Sequence, residues 1–239
     1  MRRSGLIPAG LAMIVPVLML AGPASAPAPT GFPFTNEDLN YAVTWPSGIA
    51  LGEVHMHAKH SGANWNLELT IDAGVPGYAV KDDFHASTAG DLCSVSFERN
   101  SSQGARTTKE KTTIDRDRSL ATRTTVAKDA GKSDFPVPAC VKDALTYIYY
   151  ARREMGQGRV PGPQQILYSG LLTIRADYGG AATITANDKP VETDKLTCTI
   201  KAGASEYKVD IFFARDAART PLRIVAPLAM GKFSMELLH

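Results

Sequence analysis

The chain has 239 residues, of which 44% are hydrophobic and 21% charged. That apolar share supports a packed core and excludes a disordered chain. The formal net charge is +2 with both signs interspersed, which excludes nucleic acid as a main partner.

In chain order, the first predicted element is a leader. Arg2 and Arg3 precede an apolar run from Leu6 to Ala21, followed by the small residues Gly22-Pro23-Ala24-Ser25-Ala26. Positive end, short apolar middle and small-residue exit form the layout of a secretory signal peptide over residues 1–26. Cleavage fits after Ala24 or after Ala26. The apolar run holds Pro8, Gly10 and Pro16 and falls short of the roughly 20 residues a spanning helix needs. No transmembrane span is expected once the leader is removed. Residues 27–36 read as a flexible lead-in, and residues 37–239 as a single β-rich domain.

From there the dominant period is two. Leu39, Tyr41, Val43 and Trp45 alternate with polar or small residues, and Pro46-Ser47-Gly48 breaks the run. Val54, Met56 and Ala58 alternate next. After a turn at Ser61-Gly62, so do Trp65, Leu67, Leu69 and Ile71. These predict an antiparallel meander. Weaker strands follow at Tyr78–Ser87, Cys93–Arg99, Ala105–Asp115 and Ser119–Val126. The last two are Thr-rich, so they read as long strands covered on one side only. Arg106 to Arg123 is a basic run interrupted by Glu110, Asp115 and Asp117. It reads as a solvated strand face, with an anionic lipid or glycan contact as the alternative. Residues 127–138 are polar, with Gly131, Pro136 and Pro138, and predict a loop.

The period then changes to 3.6. Asp143 can cap a helix on which Val141, Ala144, Leu145, Ile148, Ala151 and Met155 share one face. Gly156-Gln157-Gly158 ends it. Arg152 falls on the same apolar stripe, where a charge needs a partner. Strands resume at Gln165–Tyr168, Leu171–Tyr178, Ala181–Ile184, Lys195–Lys201, Tyr207–Phe213, Pro221–Pro227 and Lys232–Leu238. The expected class is all-β and mainly antiparallel: a strongly bent sheet or incomplete β-barrel with one central α-helix plugging it.

Three cysteines in an exported chain allow three single-disulfide pairings. Cys198 shares an apolar strand face with Leu196 and Ile200 and reads as a buried thiol. Cys93 and Cys140 both stand at element edges, which favours Cys93–Cys140.

Several residues invite chemistry. His55 and His57 lie two apart on a strand, point the same way and form a weak metal candidate lacking a third ligand. Asp82 and Asp83 face opposite ways. Asp83 and His85 share a face and suit a structural hydrogen bond. Gly156 to Gly162 superficially suggests a dinucleotide loop, but it follows a helix and contains Pro161. No nucleophile elbow, phosphate loop or Cys-x-x-Cys occurs, and nothing in the sequence asks for a cofactor. Trp45, Trp65, Tyr147, Tyr149 and Tyr150 are candidates to line an apolar pocket, although such residues commonly just fill cores.

The second half carries a layout with a family likeness. A helix runs from Lys142-Asp143-Ala144-Leu145 to Tyr150-Ala151-Arg152. Later come Val209-Asp210-Ile211-Phe212-Phe213-Ala214-Arg215-Asp216, then Arg219-Thr220-Pro221-Leu222-Arg223-Ile224, then Gly231-Lys232-Phe233. With Glu37, Leu39, Tyr41 and Gly52 ahead of them, these resemble bacterial exported proteins of the domain of unknown function 3108 family, over nearly the whole mature chain. Phe213-Ala214-Arg215 departs slightly from that family's usual aromatic-Leu-Ser ending. The resemblance implies a periplasmic or otherwise exported cell-envelope β protein and no particular reaction. It also suggests Asp216 as the partner of Arg152, because both stand in its recurring motifs. Two functions follow as expectations. One is a non-enzymatic protein that binds a lipid or other envelope component on the sheet's concave side. The other is a hydrolase acting on envelope polymers.

Overall fold

A computed structural model describes residues 36–126, 130–186, 188–228 and 231–238. The leader and most of the lead-in lie outside the described residues. Period-two alternation becomes strands β1 (Glu37–Thr44), β2 (Ala50–Ser61), β3 (Asn64–Val75) and β4 (Tyr78–Ala89). Then come β5 (Ser94–Gln103), β6 (Arg106–Asp115), β7 (Leu120–Thr125) and β8 (Gly131–Pro136). A two-residue strand β9 (Lys142–Asp143) leads into helix α1 (Ala144–Gly156). The second half comprises β10 (Gln164–Leu167), β11 (Leu171–Ala186), β12 (Lys189–Ala202), β13 (Ser205–Ala214), β14 (Pro221–Leu228) and β15 (Gly231–Leu237).

All fifteen strands join one sheet in the order β8 to β1, then β15 down to β9. Strand β1 pairs with both β2 and β15, so first and last strands meet at the sheet's middle. Every pairing is antiparallel except β9 with β10. The sheet is strongly curled and not closed into a barrel, which is the expected class. Its free edges, β8 and β9, are consecutive in sequence. The chain therefore crosses the opening between them, and α1 follows directly.

The helix plugs the curl. Asp143 caps it by accepting from the Thr146 amide at 2.8 Å. The single apolar stripe expected of α1 is divided in the structure. Leu145 and Tyr149 pack into a core with Tyr41, Met56, Leu67, Phe84 and Phe97 of the first half. Tyr147, Ala151 and Met155 pack into a second core with Leu196, Cys198, Ile211 and Phe213. A helix inside a curled sheet meets wall on more than one side, so no wide solvent face remains.

Two stretches differ from the sequence reading. Residues 131–136 form strand β8, paired with β7 from Leu120–Pro136 to Thr125–Gly131, where a loop was expected. An outermost strand needs no apolar face, so its exposed Gly, Lys, Ser and Asp hide it from periodicity. The predicted break between Tyr178 and Ala181 is a bulge inside the single strand β11. Gly180 adopts φ 88° there, so the glycine absorbs an irregularity and the chain does not turn.

Side chains hold the open side together. Tyr168, after β10, packs on Phe84 and Phe97 with centroids 6.2 and 6.4 Å away, and Arg99 lies 4.6 Å over its ring. Arg123 of β7 donates to the Ser169 carbonyl. Cys93 and Cys140 are bonded, tying the start of β5 to the segment before β9, while Cys198 is free and buried.

Candidate functional site

Strands β1 to β5, together with β14 and β15, leave a cavity of about 200 Å³ on the sheet's inner side. Its walls are aliphatic and aromatic: Val43, Val54, Ile71 and Val80 with Phe233 and Met235. Tyr78 stands at its rim, 37% exposed. The space exists partly because small residues line it. Ala73, Gly74 and Ala226 contribute little side chain. Gly52 pairs with Ala73 so closely that a Cβ there would collide with the Asp72 carbonyl.

Two polar side chains interrupt this lining, Asp82 and Gln103. Asp82 sits inward on β4 between Val80 and Phe84 and is only 6% exposed. Its carboxylate accepts from the Ser101 hydroxyl and, at 2.8 Å, from the Gln103 amide. Asp83 points to the opposite face, as strand geometry requires, and meets His85 Nε2 at 3.1 Å.

The aromatic candidates lie elsewhere. Trp45 packs edge-on against Phe233 at 4.9 Å. Trp65 is buried against His60, centroids 4.7 Å apart. Tyr147 belongs to the second core, its hydroxyl beside Cys198, whose thiol burial pushes up to about 12. Tyr150 is flanked by Lys142 at 4.3 Å and Arg153 at 5.3 Å. None of these four rings lines the cavity. Large aromatics fill the curl, and the cavity forms where aliphatic and small residues leave room.

His55 and His57 share the outer face of β2, as expected. Each is already engaged across the strand pair, His55 with Asn40 at 2.6 Å and His57 with Asp38. Among the described residues, three metal-ligating atoms gather only at Asp91, Cys93 and Cys140. Both sulfurs there belong to the disulfide.

Arg152 is fully buried and carboxylate-paired, but not with Asp216. Its guanidinium forks onto both oxygens of Glu37 at the start of β1, the Nη2 contact being 3.0 Å. Its Nε donates to the Ala218 carbonyl at 3.1 Å. Asp216 instead accepts from the amide and hydroxyl of Thr220, at 3.0 and 2.8 Å, within the β13–β14 turn. Asp216 thus shapes the turn whose Ala218 carbonyl receives Arg152. Recurrence in neighbouring motifs did not mean contact. Tyr41 and Tyr149 flank the ion pair, and burial holds both phenols well above their ordinary range.

In the sequence Asp82 stood out only as one of two adjacent carboxylates facing opposite ways. The alternation Val80, Asp82, Phe84, Ala86 places it on the core face, which is the one signal that could have singled it out.

Fold and site together define an open, curled antiparallel β-barrel with a helical plug and a small apolar cavity on its concave side. Residues 40–238 match the family described as "Protein of unknown function (DUF3108)", and the chain belongs to that family. No curated protein matches the sequence. Among solved structures, it is similar to a "beta-barrel-like protein of domain of unknown function DUF1849" from Brucella abortus. The TM-score is 0.59 at 6% identity, over 85% of this chain and 96% of that one. At that identity the likeness speaks to the fold alone.

Proposed function

We propose that this is an exported, non-enzymatic protein of the bacterial cell envelope, periplasmic or secreted, that holds a lipid or other apolar ligand. The observation that carries this reading is the concave cavity, about 200 Å³ and apolar but for Asp82 and Gln103. Pockets of this make-up, mostly apolar with a few placed polar groups, suit small-molecule binding. Export is supported by the signal-like leader and by the Cys93–Cys140 disulfide, a bond that persists in oxidising compartments. Among the described residues, no helix is long and apolar enough to cross a membrane.

The hydrolase alternative needs a nucleophile beside a base. The closest histidine–carboxylate contacts, His57–Asp38 and His85–Asp83, lie on the outer face, away from the cavity. No specific observation favours it.

Native mass spectrometry of protein purified from its own host without detergent tests both halves of the proposal. The expected spectrum shows a chain shortened at Ala24 or Ala26, carrying an adduct that organic solvent releases. A chain retaining Met1, or a purely unliganded species, contradicts it.

A further inference from the structure

Asp82 is out of keeping with its surroundings. A buried carboxylate is ordinarily paired with a cation. The other buried charges of this protein follow that rule or have a substitute. Arg152 has Glu37, Glu154 has Arg159 at 2.7 Å, and Lys142 lies over the Tyr150 ring. Asp143 has no cation but sits at the positive end of α1 and accepts from Ser94 and Thr146. Asp82 has neither. Its protein partners are two neutral side chains, Ser101 and Gln103. The nearest inward-facing cation along β5, Arg99, is committed to Glu110 at 3.2 Å and to the Tyr168 ring.

A carboxylate offers about four acceptor positions, and these two bonds use half of them. Asp82 also lines the cavity, so its remaining capacity is directed at whatever enters. We infer that the ligand is an apolar molecule bearing one protonated nitrogen, whose ammonium donates to Asp82 while its apolar body fills the space between Val43, Val54, Ile71 and Phe233. Asp82 would then favour an ammonium head over a neutral one and disfavour a carboxylate head. Tyr78 at the rim supplies a ring face that also attracts a cation.

This assignment rests on the cavity being the ligand site, and the test separates the two claims. Octylamine, octan-1-ol and octanoate share one apolar chain and differ in the charge of the head. Each is titrated into the full mature protein at pH 7, below its micelle-forming concentration, by calorimetry. The expected order is octylamine about tenfold tighter than octanol, with octanoate weakest. Asp82→Asn keeps the shape of the side chain and should abolish the preference, bringing octylamine to octanol's affinity in that variant. The wild-type comparison stands even if that variant folds poorly. Equal binding of octylamine and octanol by the wild type, or a preference for the amine that survives in Asp82→Asn, overturns the head-group assignment and leaves the cavity reading intact. Failure of all three to bind overturns both.

Discussion

At the scale of single residues, the most consequential contact joins the two ends of the domain's architecture. Arg152 on the helix and Glu37 at the start of β1 are 115 positions apart and form a forked, buried pair. Removing one member strands the other charge away from water. Arg152→Ala and Glu37→Ala should therefore each cost about 3–5 kcal/mol in chemical denaturation. The double variant should cost clearly less than their sum. Asp216→Ala, at an exposed turn, should cost under about 1 kcal/mol. Equal losses at Asp216 and Glu37 would contradict this pairing. That Arg152 needs a partner was legible from the apolar stripe. Which carboxylate supplies it was not, because a contact between β1 and α1 leaves no local pattern. A second network has a pH signature. Burial pushes the Asp194 carboxyl up, but hydrogen bonds from Tyr178, Arg219 and Arg215 outweigh it and hold its pKa below the ordinary value. The folded state thus favours the charged form. Its contribution is complete above the unfolded carboxyl's pKa of about 3.9 and is lost as pH falls through the lower folded value. The stability gap between wild type and Asp194→Asn, from urea titrations at pH 7 and pH 3, should narrow at pH 3. A gap that stays constant would contradict the network's role.

At the scale of elements, α1 depends on the residue that caps it, Asp143. The Asp143 carboxylate accepts from the Thr146 amide and hydroxyl and from Ser94 at the start of β5, so one side chain both caps the helix and ties it to the first half. Ser94 in turn receives the Asp143 amide at 2.7 Å. Asp143→Ala removes the cap and leaves buried donors unmet. The expected cost is at least about 2 kcal/mol, read from the denaturation midpoint. Asp143→Asn should recover part of it, since its amide oxygen still accepts. A variant Asp143→Ala that unfolds with the parent would show that the helix is held by its packing alone. The helix and its cap were legible because the 3.6 period stands out among strands of period two. Strand β8 was not, because an edge strand exposed at every residue but Phe135 carries no alternation. The bulge at Tyr178–Gly180 was misread for a related reason: paired glycines mark irregular backbone without saying whether the chain turns or continues.

At the scale of the whole molecule, the meander's two arms curl from a shared centre, with β1 against β15, and leave β8 and β9 as the sheet's free edges. That curl was legible as a class from many one-sided strands and a single helix. The cavity was not. Its walls come from seven strands, and its volume reflects where small residues such as Ala73, Gly74 and Ala226 line it. The large aromatics that sequence reasoning favoured went into the two cores. The central claim is that this space holds an apolar ligand. It is tested most directly by native mass spectrometry of the host-purified protein beside Ala226→Phe, a substitution that places a ring in the cavity from β14. The account predicts a solvent-releasable adduct on the wild type and its loss from a folded Ala226→Phe. An unliganded wild type, or an adduct retained equally by the filled variant, would contradict it.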